Sequence, residues 1–248
     1  MSTYQTYQKF IILTMPRSGS NYLSYLLNDH PNIMSIGEVY CRETIWGQPG
    51  KTHYNHNYFL KLFRDISPTM FLKLFVYHKY SKHIVAVGFR LFYHQAEHFR
   101  SILEHLYKDK SVKVIHLKRI NLLENLVSLN LAEKTGHWSS FGENKSKNEK
   151  LFLTYEECLN HFVSSTNSQN KFESLFQDHP QITVYYENFL VNHQAEIDRT
   201  LTFLGVKKRN LNCSLKKQNT RPLNEVIINY QDLTRQFSHT KWSVYFKN

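Results

Sequence analysis

The stretch FIILTMPRSGSNYLSYLLND, residues 10–29, decides the fold because a strand pattern and a helix pattern meet in it. It begins with a short, Ile-rich apolar run that stops at a proline, which is typical of a strand buried in the middle of a sheet. Residues 20–29 then repeat apolar side chains at helical spacing, and the following His30-Pro31 ends that helix. The segment therefore predicts a strand, a tight turn and a helix in succession.

The same alternation recurs along the rest of the chain. Strands are predicted at 33–36, 84–91, 112–117 and 182–186, and helices at 95–107, 121–134, 155–177 and 190–204. Alternating strands and helices imply a mainly parallel sheet with helices on both faces. We therefore expect an α/β fold with a P-loop-like sheet, in a single domain over residues 1–248. The aperiodic segments 40–58 and 139–150 are predicted to be a functional loop and a surface excursion.

Composition excludes several classes of protein. With 41% apolar residues in a chain of 248, a sizeable core can form, so wholesale disorder is excluded. The chain has no apolar run long enough to cross a bilayer and no apolar N-terminal signal, so we expect a soluble, cytoplasmic protein without a membrane span. Cys41, Cys158 and Cys213 form no C-x-x-C pair, which disfavours disulfides and a cysteine-rich zinc site.

The charge balance favours an anionic partner, since 31 Lys and Arg against 20 Asp and Glu give a formal net charge of +11. Nucleic acid, anionic lipid and a multiply phosphorylated small molecule all fit this charge, and so does a surplus that only keeps the protein in solution. The sequence contains no recognisable helix-turn-helix, zinc-finger, RRM or KH motif. A nucleic-acid partner is therefore not expected.

The turn between the first strand and helix is a candidate anion site. Unpaired N–H groups and the positive end of the helix dipole meet there, and Gly19 allows a ligand to approach the backbone. Arg17 adds a permanently charged planar group suited to phosphate or sulfate oxygens. The side chains of Ser18, Ser20 and Asn21 add further donors, although a serine cap with a glycine turn would have the same sequence.

This turn is not a Walker A motif, because G-x-x-x-x-G-K-[ST] is absent. The strand predicted at 112–117 is followed by Lys118 and Arg119 rather than by an Asp that would hold magnesium. The sequence therefore disfavours a kinase or NTPase, and we expect chemistry without a metal ion.

The segment PRSGSNYL, starting at Pro16, resembles the 5'-phosphosulfate loop of the sulfotransferases that use 3'-phosphoadenosine 5'-phosphosulfate (PAPS). That loop reads P-[KR]-S-G-[ST]-[ST] in the family, and Asn21 departs from it only at the last position. The resemblance implies that PAPS is the co-substrate and that its desulfonated form, PAP, is the product. Arg17, Ser18, Gly19, Ser20 and Asn21 are the binding residues that it implies.

A second resemblance lies in VIHLKRINLLENLVSLNLA, where the family has a strand-end Arg and a helix Ser that hold the 3'-phosphate. Arg119 and Ser128 take those places here, nine residues apart, and Ile120 stands where an Arg would give the family's spacing of about eight. Lys118 is the neighbouring alternative. Without the first loop, a basic strand end and an incidental helix serine would explain the same residues.

Two further segments resemble the family's bacterial small-molecule members. VYYE, ending at Glu187, followed by FLGV, is similar to the segment whose Tyr lies beside the adenine, which implies that role for Tyr186. The segment 215–233 looks like the closing segment over the 3'-phosphate, with Lys216, Lys217 and Gln218 as the binding residues. The four resemblances together run in order from about residue 9 to 233.

Glu38 is the predicted general base. It follows the second strand after a glycine, at the sheet edge where open α/β folds build their sites. The segment PNIMSIGEVY resembles the family variant with a Glu base rather than a His base. The resemblance implies that Glu38 takes the acceptor's proton and that Arg17 stabilises the leaving group. His53, His56 and His94 are the alternative bases.

The segment HQAEH, residues 94–98, matches H-x-x-E-H, a zinc-peptidase pattern. A third ligand is not marked by the sequence, and 14 histidines make chance matches common, so exposed helix histidines explain the pattern better than a zinc site does. Because VGFRLFYHQ also resembles a strand-end segment of the sulfotransferases, Arg90 and His94 are candidate residues of the acceptor pocket.

The sequence thus predicts a sulfotransferase that moves a sulfuryl group from PAPS to a hydroxyl or amine of a small-molecule acceptor. A noncatalytic nucleotide-binding module with the same fold is the alternative, and a zinc peptidase is a more distant one. Neither the acceptor nor the oligomeric state follows from the sequence.

Overall fold

The computed structural model describes residues 6–47, 57–138, 148–212 and 221–247. The strands in this part of the chain are β1 (Gln8–Thr14), β2 (Ile33–Ile36), β3 (Ala86–Phe92), β4 (Lys113–Lys118) and β5 (Gln181–Tyr185). They form one sheet in the order β2-β3-β1-β4-β5, and every neighbouring pair is parallel. The predicted α/β class with a parallel sheet flanked by helices is confirmed.

Helices connect the strands. Those described are α1 (Ser20–Asp29), α2 (Tyr58–Ile66), α3 (Pro68–Phe71), α4 (Tyr93–His98), α5 (Arg100–Lys108), α6 (Leu122–Thr135), α7 (Tyr155–Leu175), α8 (Tyr186–Val191), α9 (His193–Leu204), α10 (Leu223–Val226) and α11 (Tyr230–Phe237). A π-helical turn (Leu72–Val76) follows α3, and a 3-10 helix (Lys241–Phe246) follows α11. None of the helices in the described part of the chain is long and apolar enough to cross a membrane.

Apolar side chains cover both faces of the sheet. On one face, Phe10 and Ile12 of β1 belong to a buried cluster with apolar residues of α1 and α9. On the other face, the ring of Phe89 in β3 lies 5.6 Å from Tyr40 and 6.0 Å from Tyr77. This two-sided burial explains why the strands read as continuous apolar runs rather than as alternating patterns.

The chain divides into two compact units, residues 1–118 with 171–213 and residues 119–170 with 214–248. The first unit contains the sheet. In the second unit, the ring of Phe162 in α7 contacts Phe237, Trp242 and Phe246. A single domain over the full length stays a prediction.

Two predicted helices differ from the structure. The helix expected at 95–107 is two helices, α4 and α5, because Phe99 between them leaves the helical conformation, with φ −94° and ψ 65°. The helix expected at 190–204 begins earlier, with α8, and is interrupted at Asn192. The helices from α2 to the π-helical turn were not predicted. Of the expected loop and excursion, residues 48–56 and 139–147 lie outside the described residues.

Candidate active site

The carboxyl ends of the strands place the predicted site residues of the first unit at one edge of the sheet. Thr14, the last residue of β1, pairs with Phe92 at the end of β3. Ile36, the last residue of β2, pairs with Phe89 of the same strand. Because the strands are parallel, the segments that leave β1, β2 and β3 emerge at the same edge, where open α/β sheets bind ligands.

The loop after β1 has the backbone of an anion cradle. Arg17 and Gly19 both have positive φ angles, of 63° and 83°, on either side of Ser18. Such a φ is uncommon for an arginine and indicates backbone strain of the kind found at functional sites. Turns of this type point successive N–H groups into one concave site, and α1 begins directly after it with Ser20 and Asn21 in its first turn.

Ser18 is the most informative residue of this loop. Its side chain is fully buried, and its Oγ has no hydrogen-bond partner among the described residues. A buried hydroxyl without a partner costs free energy, on the order of 1–3 kcal/mol. A ligand oxygen bound in the loop would remove that cost.

Gly19 is held against the ring of Tyr186, the first residue of α8. A Cβ atom built on Gly19 would lie 2.2 Å from Cδ2 of that ring, closer than any real side-chain contact. The predicted Tyr186 therefore lies directly beside the candidate phosphosulfate loop. Only glycine satisfies both the left-handed φ and the close approach.

Glu38 follows β2 at the same edge of the sheet, and hydrogen bonds hold both its backbone and its side chain. Its carbonyl accepts a hydrogen bond from Trp46 N at 3.1 Å. Its carboxylate Oε1 accepts one from Gln95 Nε2 at 2.6 Å, while Oε1 of Gln95 accepts one from Phe92 N at 3.1 Å. Gln95 thus connects the end of β3 to Glu38 and fixes the position of the carboxylate.

The electrostatics of Glu38 suit a general base. Burial raises the pKa of its carboxyl, and the charge of Arg90 and the hydrogen bond from Gln95 oppose that rise. Arg90 lies on β3, and its N–H donates to Gly37 O at 3.1 Å. Its guanidinium is buried, burial lowers its pKa, and its Nε has no hydrogen-bond partner among the described residues.

The second candidate of the acceptor pocket, His94, is exposed on α4. Although the residue is exposed, partial burial of its ring lowers its pKa, and the nearby Glu43 carboxylate opposes this. The acidic residue of the zinc-peptidase pattern is engaged elsewhere, since Oε1 of Glu97 pairs with Nζ of Lys171 at 2.6 Å. The described residues contain no group of three or more His, Cys, Asp or Glu side chains that could hold a metal ion.

Lys118 and Arg119, the two basic residues at the end of β4, form different ion pairs. Nζ of Lys118, the last residue of β4, pairs with Oε2 of Glu173 at 2.8 Å within the first unit. In the second unit, Nη2 of Arg119 lies 2.5 Å from Oε2 of Glu124. Glu124 and Ser128 stand one turn apart on α6, and therefore share a face with the Arg119 ion pair.

Two of these residues had no signal in the sequence. Gln95 appeared only as the middle of an apparent zinc motif, and Glu124 as an ordinary acidic residue in the first turn of a helix. Lys216, Lys217 and Gln218, as well as the alternative bases His53 and His56, lie outside the described residues.

Comparisons with known proteins agree with this geometry. A family model described as the sulfotransferase family matches residues 9–210. Nodulation protein H of Rhizobium tropici is 28% identical over 243 residues, which covers 97% of this chain and 93% of that protein. Nodulation protein H of Rhizobium meliloti is also 28% identical, over 97% of this chain and 95% of that protein.

Solved structures show the same fold at low sequence identity. A sulfotransferase from Alicyclobacillus acidocaldarius has a TM-score of 0.52 and 14% identity, over 94% of this chain and 92% of that one. A mouse sulfotransferase complexed with PAP has a TM-score of 0.50 and 14% identity, over 98% of this chain and 88% of that one.

Proposed function

The chain belongs to the sulfotransferase family, and from this premise we propose that it transfers a sulfuryl group from PAPS to a hydroxyl or amine of a small-molecule acceptor. In this reaction the bond between sulfur and the bridging oxygen of the 5'-phosphate breaks, and a bond forms between sulfur and the acceptor atom. PAP leaves, and the acceptor's proton passes to a base. The observation that carries the proposal is the buried Ser18 hydroxyl in the loop after β1, which has no partner among the described residues.

The loop supplies the charge that the transfer requires. Negative charge builds on the bridging oxygen as the sulfuryl group leaves. The N–H groups of the loop, the positive end of α1 and the Arg17 guanidinium are proposed to stabilise that charge, since the positive φ angles of Arg17 and Gly19 form a turn of the anion-binding type directly before α1. Arg17 therefore does the work that a metal ion does in other transferases, and the proposed transfer needs none.

Glu38 is the proposed general base. Its hydrogen bond from Gln95 holds Oε1 of the carboxylate in place, and the acceptor's proton is proposed to pass to this carboxylate. A raised pKa strengthens a carboxylate as a base, and the charge of Arg90 opposes the rise in the pKa of Glu38. Arg90 and His94 are the proposed acceptor-pocket residues, since one lies beside Glu38 in charge contact and the other follows it on α4.

The remaining nucleotide contacts follow from the family pattern. We assign the adenine to Tyr186, because its ring lies against Gly19 of the loop. Arg119 and Ser128 are assigned to the 3'-phosphate, with Lys216, Lys217 and Gln218 as the closing residues. A phosphate at Arg119 would compete with the Glu124 carboxylate for the same guanidinium.

A pair of serine variants tests the loop. Ser18→Ala removes a buried hydroxyl without a described partner, and Ser24→Ala removes one that is bonded to Ser35 Oγ at 2.8 Å. Calorimetry should show PAP affinity falling by about fivefold in Ser18→Ala, with thermal stability kept. Ser24→Ala should lower stability and leave PAP affinity unchanged. Equal PAP affinity in both variants would contradict the loop assignment.

Transfer itself is tested by screening acceptor alcohols, amines and sugars with radiolabelled PAPS, with and without a chelator. The expected result is label in an acceptor, at the same rate in both arms. Tight PAP binding with no transfer to any acceptor would instead identify a noncatalytic nucleotide-binding module.

A further inference from the structure

Helix α2 buries an arginine and exposes several large apolar side chains. Its one residue whose side chain is fully buried is Arg64, with a relative exposure of 0%. Several large apolar residues point outward instead, with Phe59 81% exposed and Ile66 75% exposed, while Leu60 and Phe63 are half-buried. In a helix that packs on a core the apolar face turns inward. The outward face of α2 therefore has no cover within the described part of the chain.

Arg64 fixes this orientation. Its Nη1 donates hydrogen bonds to the carbonyl oxygens of Val39, Cys41 and Thr44, at 2.9, 2.6 and 3.0 Å. Its guanidinium also lies 5.2 Å from the ring centroid of Phe99. Turning α2 to bury its apolar residues would break all of these contacts and leave three carbonyls, one of them on the buried Val39, without this donor, and that loss opposes the rotation.

The apolar surface continues beyond α2. Met70 of α3 is 45% exposed and Leu74 of the π-helical turn is 52% exposed. Together the exposed residues form what we call the α2 face: Tyr58, Phe59, Leu62, Ile66, Met70 and Leu74. Scattered single apolar residues on a surface need no explanation, but a contiguous set of this size marks an interaction site.

A cationic cavity borders the same helix. It has a volume of about 540 Å³, and its basic lining residues are Arg42, Lys61, His98 and Arg100. The acidic lining residue, Asp65, is already bound by Lys61 and Arg64. The cavity therefore has unneutralised positive charge, and Lys61 belongs both to its wall and to α2.

We propose that the α2 face and this cavity bind an anionic phospholipid surface, with lipid phosphates in the cavity and the α2 face in the acyl region. An apolar helix face flanked by basic residues is the pattern of helices that lie in a membrane interface. In residues 57–83 four lysines reach the surface, Lys61, Lys73, Lys79 and Lys82, against one acidic residue, Asp65, while Arg64 is buried. Basic residues near an anionic leaflet each strengthen binding.

The same charges disfavour a second copy of this chain as the cover. A symmetric dimer through the α2 face would bring two sets of basic residues together, because the same patch is used by both copies. Like charges brought together at an interface oppose association. An anionic lipid surface is attracted by the charge that would repel a second copy.

Vesicle co-sedimentation tests the proposal directly. The full chain should pellet with vesicles of equal parts phosphatidylcholine and phosphatidylglycerol, and not with phosphatidylcholine alone. Phe59→Ser and Ile66→Ser should each weaken binding to the anionic vesicles by about tenfold. Arg42→Ala combined with Arg100→Ala should weaken it by about tenfold or more. PAP affinity should stay unchanged in all of these variants, so the result is separate from the proposed transfer reaction.

Matched controls use exposed residues elsewhere. Val191→Ser removes an exposed apolar side chain after β5, at the opposite edge of the sheet from β2, and Lys208→Ala removes a surface charge. Both variants should bind vesicles as the wild type does. The proposal is overturned if the wild type fails to pellet with anionic vesicles, or if the controls lose binding as much as the α2 variants do.

Two other ligands of this surface, a second copy of the chain and a free anion, are tested by separate measurements. Sedimentation velocity of the wild type and Phe59→Ser shows whether the α2 face joins two copies, and a dimer lost in the variant, without vesicle binding, would overturn the proposal. Inorganic phosphate at constant ionic strength should not displace the protein from vesicles. Full displacement would mean that the cavity binds a free anion and the α2 face contributes nothing, which would also overturn it.

Discussion

Gln95 donates a hydrogen bond from Nε2 to Oε1 of Glu38 at 2.6 Å, across 57 positions of sequence. The same amide accepts a hydrogen bond from Phe92 N with its oxygen, so its orientation is fixed from both ends. This contact connects the segments that follow β2 and β3, and it sets both the position and the charge of the proposed base.

Gln95→Ala should therefore slow turnover and shift its pH dependence. The hydrogen bond from Gln95 lowers the pKa of Glu38, so its loss should raise that pKa further. Since the base must be deprotonated, the acidic limb of kcat/KM should move to higher pH, and kcat should fall by about tenfold or more. Glu97→Gln, on the same helix but paired with Lys171, should leave the profile unchanged. A Gln95→Ala profile identical to that of the wild type would refute the positioning role.

Gly19→Ala should lower both stability and PAP affinity. The new Cβ would lie 2.2 Å from the Tyr186 ring, in addition to the strain of φ +83°. Gly136→Ala is the matched control, because its φ is +70° and nothing lies within 4 Å of its Cβ position. The control should cost about 1–2 kcal/mol from the backbone alone. Denaturant unfolding should show a larger loss for Gly19→Ala, and an equal loss would mean that Tyr186 moves aside freely.

Arg119→Ala and Lys118→Ala should separate the two basic residues after the fourth strand. Arg119 is proposed to hold the 3'-phosphate, so its loss should weaken PAP by about tenfold and adenosine 5'-monophosphate little. Lys118 is already paired with Glu173, and its variant should lower stability while keeping PAP affinity. Calorimetry with both nucleotides checks this. Arg119 would be the wrong residue if both nucleotides lost affinity equally.

His116 should make folding sensitive to acid. It is fully buried on β4, where Nε2 lies 2.6 Å from Tyr93 Oη, and burial lowers its pKa to about 3. The unfolded chain binds a proton near the ordinary histidine pKa of about 6.5, so stability is present above that pH and is lost as pH falls towards the folded pKa. Between about pH 6 and pH 4 the wild type should lose roughly 2 kcal/mol more than His116→Gln. Urea titrations at both pH values measure this difference. His83→Gln, at an exposed position, should keep the wild-type pH dependence.

Much of the sheet could be predicted because its strands are buried on both faces. The predicted strand at 33–36 coincides with β2, and the helix at 20–29 coincides with α1. The anion loop between β1 and α1 was also predictable, since its glycine, arginine and serines follow directly from a buried strand. Local sequence was sufficient in these places because the determining residues are neighbours.

The unpredicted parts depend on contacts between distant residues. Helix α2 reads YFLKLFRDI, a short apolar run that suits a strand or a helix, and its inward residue is an arginine. The carbonyls that hold Arg64 lie 20 to 25 residues away, at Thr44 and Val39. Gln95 is likewise a site residue only through Glu38. The sequence around a glutamine or an arginine does not indicate a distant partner, because only the fold brings the two residues together.

The most direct test of the account is a single-turnover experiment with radiolabelled PAPS, an acceptor identified by screening, and the Glu38→Gln variant. The amide keeps the shape of the carboxylate but accepts no proton. A positioned base contributes on the order of 10² to 10⁴ in rate, so the rate constant of transfer should fall by about that factor while PAP affinity stays unchanged. A rate constant close to that of the wild type would contradict the assignment of Glu38 as the base, and with it the proposed mechanism.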